Sequence, residues 1–209
     1  MKRLIPFGVL LLLTLFLSQD TLAQEQRFGA GLVAGLNAAQ IQGDDMAKYN
    51  KVGVRAGIRG IARFTEKMEL SVDILFSQRG SILEIFGDNS LPRRRVHLDY
   101  VEVPVMFTIK DWLDEDGFYK VHFMAGLAYG RLFRSEVEFF PVVEDQTELF
   151  QKNDLSLAAG ASYFLSEHFG FSARYTRSLI PLFDISKNGS SYKQDLWGYF
   201  LSFEAVYLF

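Results

Sequence analysis

Between Val52 and Phe64 the even positions Val52, Val54, Ala56, Ile58, Ala62 and Phe64 are apolar, while Arg55, Arg59 and Arg63 stand every fourth residue among the odd ones. The next stretch answers in kind. Met68, Leu70, Val72, Ile74 and Phe76 alternate with Glu69, Ser71, Asp73 and Ser77. A period of two predicts strands whose successive side chains point to opposite faces. An unbroken apolar face set against a face of charges suits a barrel in lipid, greasy side outward and charges enclosed.

The same alternation recurs from Val96 to Lys110, Tyr119 to Phe133, Asp154 to Leu165, Phe169 to Ser178 and Leu196 to Phe209. A further segment, Phe28 to Ile41, is rich in Gly and Ala, and its facing stays open. Each segment is long enough for the ~9 to 11 residues of a tilted spanning strand. Connections alternate in length: short at Thr65 to Lys67, Asp111 to Phe118 and Ser166 to His168, long at Gln42 to Lys51, Arg79 to Arg95, Arg134 to Asn153 and Leu179 to Asp195. Outer-membrane barrels pair short periplasmic turns with long extracellular loops. The expected fold is all-β, an eight-stranded antiparallel up-and-down transmembrane barrel with a charged lumen filled by side chains.

Aromatic rings prefer the two membrane interfaces. On this topology Trp112, Tyr119, Phe169, Tyr207 and Phe209 fall at the periplasmic rim, and Tyr129, Tyr175, Trp197 and Tyr199 at the outer one. Cross-strand partners share a face, so a turn centred on Glu66 sets Arg63 opposite Glu69, Arg59 opposite Asp73 and Arg55 opposite Ser77. With Glu102, Arg174 and Glu204 from other strands these form the expected lumen charge network: Arg55, Arg59, Arg63, Glu69, Asp73, Glu102, Arg174 and Glu204. Lys120 and His122 are expected in the same lumen. An eight-stranded barrel has room only for its own side chains, so the charges form a filling and not an open pore.

Lys2 and Arg3, the apolar run Leu4 to Leu17 and the small-residue pattern Thr21-Leu22-Ala23 read as a signal peptide over residues 1–23, leaving 24–209 as one barrel domain. The chain has no cysteine, which excludes a lipid-modified cysteine and disulfides. A formal charge of -3 and a pI near 5.7 give no reason to expect nucleic acid as a partner.

Candidate chemistry is sparse. His97, His122 and His168 fall at different heights, so no metal site is expected, and no cofactor motif is present. Gly160-Ala161-Ser162-Tyr163-Phe164 begins like a nucleophile elbow but lacks the final glycine and sits within a strand. Two loop features suit partners: Arg93, Arg94 and Arg95, which match the phosphates of membrane lipid or glycolipid, and Phe139 and Phe140 beside an acidic flank, which match an envelope protein.

Several segments together resemble the PorT-like family of small Gram-negative outer-membrane barrels. They are the Gly-rich strand Gly29 to Asn37, the stretch Leu98-Asp99-Tyr100-Val101-Glu102-Val103-Pro104-Val105, then Ala125 to Gly130, and Ala173-Arg174-Tyr175. The resemblance implies an eight-stranded barrel with Tyr100, Glu102 and Pro104 as pattern positions. Tyr207 and the terminal Phe209 resemble the strand signal read by the barrel-assembly machinery. The functional expectation is a non-enzymatic outer-membrane protein with a structural or partner-binding role through its extracellular loops. A component of a secretion or transport assembly, as in one PorT-like relative, and a lipid-modifying enzyme are the alternatives.

Overall fold

The computed structural model describes residues 27–42, 51–83, 94–139, 142–145, 151–181 and 197–209. Residues 1–26, which include the expected signal peptide, lie outside the described residues, as do Arg93 and Phe140. The described strands are β1 (Phe28–Gln42), β2 (Lys51–Arg63), β3 (Met68–Leu83), β4 (Arg94–Leu113), β5 (Tyr119–Phe139), β6 (Val142–Asp145), β7 (Asn153–Phe164), β8 (Phe169–Ser178) and β9 (Trp197–Leu208). All neighbours are antiparallel. Eight of them close on themselves, because β1 pairs with β9 and β4 pairs with β5, while β6 is a short arm on β5.

The faces separate by chemistry. Ile58 and Val72 stand outside at 56% and 41% exposure, while Arg59 and Asp73 stand inside at 7% and 0%. In β1, whose sequence left its facing open, Leu32 and Leu36 are outside and Val33 and Asn37 inside. The β2–β3 hairpin holds the register Arg63↔Glu69, Arg59↔Asp73 and Arg55↔Ser77. Toward the periplasmic end the interior holds one apolar cluster, Val33, Ile61, Leu75, Phe164, Val206 and Leu208, beside buried polar groups such as Glu69 and His122.

Three strands run further than the alternation suggested. β3 reaches Leu83, β4 spans Arg94 to Leu113 and β5 reaches Phe139. Arg94, Arg95 and Phe139 are therefore strand residues, not loop residues, each paired across the sheet: Arg94 with Leu83 and Phe139, Arg95 with Ile82 and Glu138. The reason is a β-bulge. The β4–β5 register passes from Tyr100↔Leu132 to Asp99↔Arg134 and leaves Phe133 as the extra residue. Phe133 and Arg134 are consequently both exposed, and the period-2 pattern breaks there although the strand continues. On β3 the break falls at Gly80, whose φ of 141° favours glycine and where an added Cβ would lie 2.0 Å from the Val96 carbonyl oxygen.

A closed barrel of this kind resists detergent. The unboiled protein should migrate on gels as a compact species distinct from the boiled one and withstand protease; one unfolded band under both conditions would contradict the fold.

Candidate functional site

Inward positions on six strands bring eight charges into one chain of contacts. Arg59 grips Asp73 with two hydrogen bonds, Nε to Oδ1 at 2.8 Å and Nη2 to Oδ2 at 2.9 Å. Arg174 reaches the same Asp73 at 3.5 Å and Glu204 at 3.3 Å. Glu204 also pairs with Arg55 Nε at 2.6 Å. Arg55 holds Glu102 with a second fork, Nη2 to Oε1 at 2.7 Å and Nη1 to Oε2 at 3.0 Å. Glu102 is shared with Arg79, which donates through its other terminal nitrogen to Asp154 at 2.6 Å. The order is Arg59, Asp73, Arg174, Glu204, Arg55, Glu102, Arg79, Asp154. Four guanidinium groups alternate with four carboxylates, so the chain is neutral.

Neutral neighbours complete it. Arg79 lies between the rings of Tyr100 and Phe200, at 4.6 and 4.2 Å from their centroids. Gly130 makes the space, since a Cβ there would meet the Tyr100 ring at 3.2 Å and Arg79 Nη2 at 3.7 Å. Asn37 donates to Ser77 at 3.0 Å and accepts from Ser202 at 2.9 Å, which joins β1 to β3 and β9. Ser156 donates to Asp154 at 2.9 Å.

The eight residues expected as a lumen network do not all meet. Arg55, Arg59, Asp73, Glu102, Arg174 and Glu204 share the chain. Glu69 instead bonds Lys110 Nζ at 2.6 Å nearer the periplasmic end. Arg63, though opposite Glu69 in register, is only half-buried. Lys120 pairs with Asp114 at 2.7 Å in the periplasmic turn, where the hydrogen bond from its ammonium holds the Asp114 carboxyl below its usual pKa. Arg79 and Asp154 are members that sequence reasoning missed. Their parity was the available signal: Arg79 continues Asp73, Leu75 and Ser77 inward, and Asp154 precedes inward Ser156 and Ala158.

His122 faces Ser162 across the β5–β7 register. Both are nearly buried inside the barrel, the imidazole stacked on Phe164 at 4.4 Å and its Nε2 3.0 Å from the Tyr119 carbonyl oxygen. Tyr207 and Phe209 sit outside at the periplasmic rim with ring centroids 5.7 Å apart.

At the outer end β3, β4 and β5 rise beyond their neighbours. β7 ends at Asn153, opposite Arg131, yet β5 continues through Leu132 to Phe139, about 25 Å more strand. β6 pairs with that extension, Glu136↔Asp145 to Phe139↔Val142, and ends the sheet.

A closed barrel with an apolar exterior, an interior charge chain and short turns opposite long connections defines an integral outer-membrane β-barrel protein. The family model for the outer membrane protein beta-barrel domain matches residues 18–184, and the chain belongs to that family. Among solved structures it is similar to Ail, the attachment invasion locus protein of Yersinia pestis, at 15% identity and a TM-score of 0.52, covering 87% of this chain and 98% of that one. The complex of Ail with the heparin analogue sucrose octasulfate matches at 14% identity and a TM-score of 0.50, covering 88% and 99%. Neisserial surface protein A matches at 11% identity and a TM-score of 0.47, covering 86% and 96%. Likeness at these identities is one of fold. No curated protein matches the sequence.

Removing Glu102 takes one of its two carboxylate partners from each of two buried arginines, leaving Arg55 with Glu204 and Arg79 with Asp154. Glu102→Ala should lower unfolding stability in lipid by about 3 to 5 kcal/mol and Arg59→Ala by ~3 kcal/mol, because Asp73 keeps only the longer contact to Arg174. Arg134→Ala, which breaks the exposed pair with Glu136, should cost less than about 1 kcal/mol. Urea titration of the folded protein in vesicles measures all three.

Proposed function

We propose that this protein is a non-enzymatic outer-membrane barrel that serves as a rigid base for a surface-binding sheet. The observation that carries the reading is the continuation of β3, β4 and β5 past the rest of the barrel, with β6 added at the edge. The β2–β3 ladder ends at Arg55↔Ser77, with Gly53 still lying against Gln78, and beyond Gln78 the β2 side of β3 has no strand partner among the described residues, as is true of the outer side of β6. Unpaired strand edges offer main-chain donors and acceptors to an extended segment of another protein. The sequence of this sheet carries both signs of charge, Glu138, Glu144 and Asp145 with Arg94 and Arg95, and Glu136 is already paired with Arg134. The filled lumen supports a supporting role for the barrel and not conduction, since the interior chain leaves no excess charge and an apolar cluster with the paired Glu69 and Lys110 occupies the periplasmic end.

Membership of a secretion assembly is the narrower version. It rests on the PorT-like positions Tyr100, Glu102 and Pro104, and all three are buried inward, where they support the architecture of the barrel. The lipid-modifying alternative would have to use His122 and Ser162. Those lie inside the barrel, shielded from acyl esters in the membrane, so purified protein should release no fatty acid from phospholipid vesicles.

A photo-crosslinking residue at Val143 in living cells should give a discrete protein adduct, absent when the same residue replaces lipid-facing Leu157. Equal labelling at both positions, or none at Val143, would overturn the sheet as a docking surface.

A further inference from the structure

A second group of charges lies on the membrane-facing side and takes no part in the interior chain. The outward residues of β5 read Leu127, Tyr129, Arg131, and those of β8 read Ala173, Tyr175, Arg177. In both strands the arginine is the next outward residue after the tyrosine, roughly 7 Å further from the hydrocarbon. Between them β7 presents Leu157, Leu155 and Asn153, and Lys152 follows at its outer end. Tyr129 Oη and Arg131 Nη1 both donate to Asn153 Oδ1, at 2.8 and 2.5 Å, which fixes the guanidinium across the β5–β7 pair.

Among the described residues no compensating carboxylate stands beside them. The side chains of Lys152 and Arg177 have no ion pair or hydrogen bond among the described residues. Asp154 points inward and is held by Arg79, and Glu136, further out, is taken by Arg134. The opposite wall differs. There the outward residues at this height are Val52, Val54 and Phe76, and on β4 the residue directly across from Arg131 is the apolar Val101. The cations are thus gathered on one side of the barrel, just beyond a tyrosine belt, at the depth where long basic side chains extend toward lipid headgroups.

Anions at that depth are phosphates, and arginine binds them through paired N–H donors. We propose that the outward face of β5, β7 and β8 is a binding site for a phosphorylated glycolipid of the outer leaflet, with Arg131, Lys152 and Arg177 on its phosphates and Tyr129 and Tyr175 at the sugar-acyl boundary. This site is independent of the protruding sheet.

The test uses the folded protein in nanodiscs, titrated with diphosphoryl lipid A, with its dephosphorylated form, with phosphatidylglycerol and with inorganic phosphate, and read by native mass spectrometry. Wild type should retain diphosphoryl lipid A in preference to the other three. The triple variant Arg131→Gln, Lys152→Gln, Arg177→Gln should bind it about tenfold more weakly or worse while keeping its heat-modifiable migration. Unchanged affinity of the triple variant, or equal retention of the dephosphorylated lipid, overturns the site. Equal retention of phosphatidylglycerol or of inorganic phosphate overturns its assignment to glycolipid. Should the triple variant fail to fold, Arg177→Gln alone, which breaks no contact among the described residues, should still weaken binding, and an unaltered affinity there is equally fatal.

Discussion

Charge neutrality inside a narrow cylinder is the constraint on which this structure depends. A guanidinium shut away from water without a partner costs several kcal/mol, and the cost is offset only by close, well-oriented carboxylates. Here Arg59, Arg174, Arg55 and Arg79 alternate with Asp73, Glu204, Glu102 and Asp154, so that all but the terminal groups serve two neighbours. The participants come from β2, β3, β4, β7, β8 and β9. A strand shifted by one residue would turn its charges into the hydrocarbon, so the chain of ion pairs also selects the register.

The filled interior determines where function can reside. An apolar cluster beside the Glu69–Lys110 pair toward the periplasmic end and the neutral chain of ion pairs above it fill the barrel, in keeping with the proposed role as a scaffold. The two surfaces proposed for binding are therefore on the outside: the sheet that continues beyond the rest of the barrel on one side of the mouth, and the tyrosine and arginine belt on the wall of β5, β7 and β8. The two are adjacent through β5, which carries Arg131 at the lipid boundary and Glu136 to Phe139 in the extension. A lipid held at the belt would anchor the wall from which the sheet rises.

The bulge at Phe133 is the feature that connects the two regions. It resets the alternation, lets Phe133 approach the Phe76 ring at 6.1 Å, and allows β5 to continue as a sheet strand. Gly80 performs the corresponding adjustment on β3, where no other residue adopts its backbone without strain.

Much of this was legible in the chain itself. Period-2 alternation decided that Val52 to Phe64 and its counterparts are strands and which face each turns to lipid, because transfer of Arg55 or Asp73 into hydrocarbon is prohibitive. Turn lengths decided the hairpin register through Glu66. The ends of β3 and β5 were not legible, since a bulge and a positive-φ glycine interrupt the pattern without ending the strand. Nor could the sequence assign partners: Glu69 sits opposite Arg63 along the hairpin but bonds Lys110 of β4, and Glu102 reaches Arg79 as well as Arg55. Register fixes only neighbours on paired strands, whereas contacts across a lumen depend on how the closed barrel brings distant walls within the length of an arginine side chain, and that is decided by the tertiary structure alone.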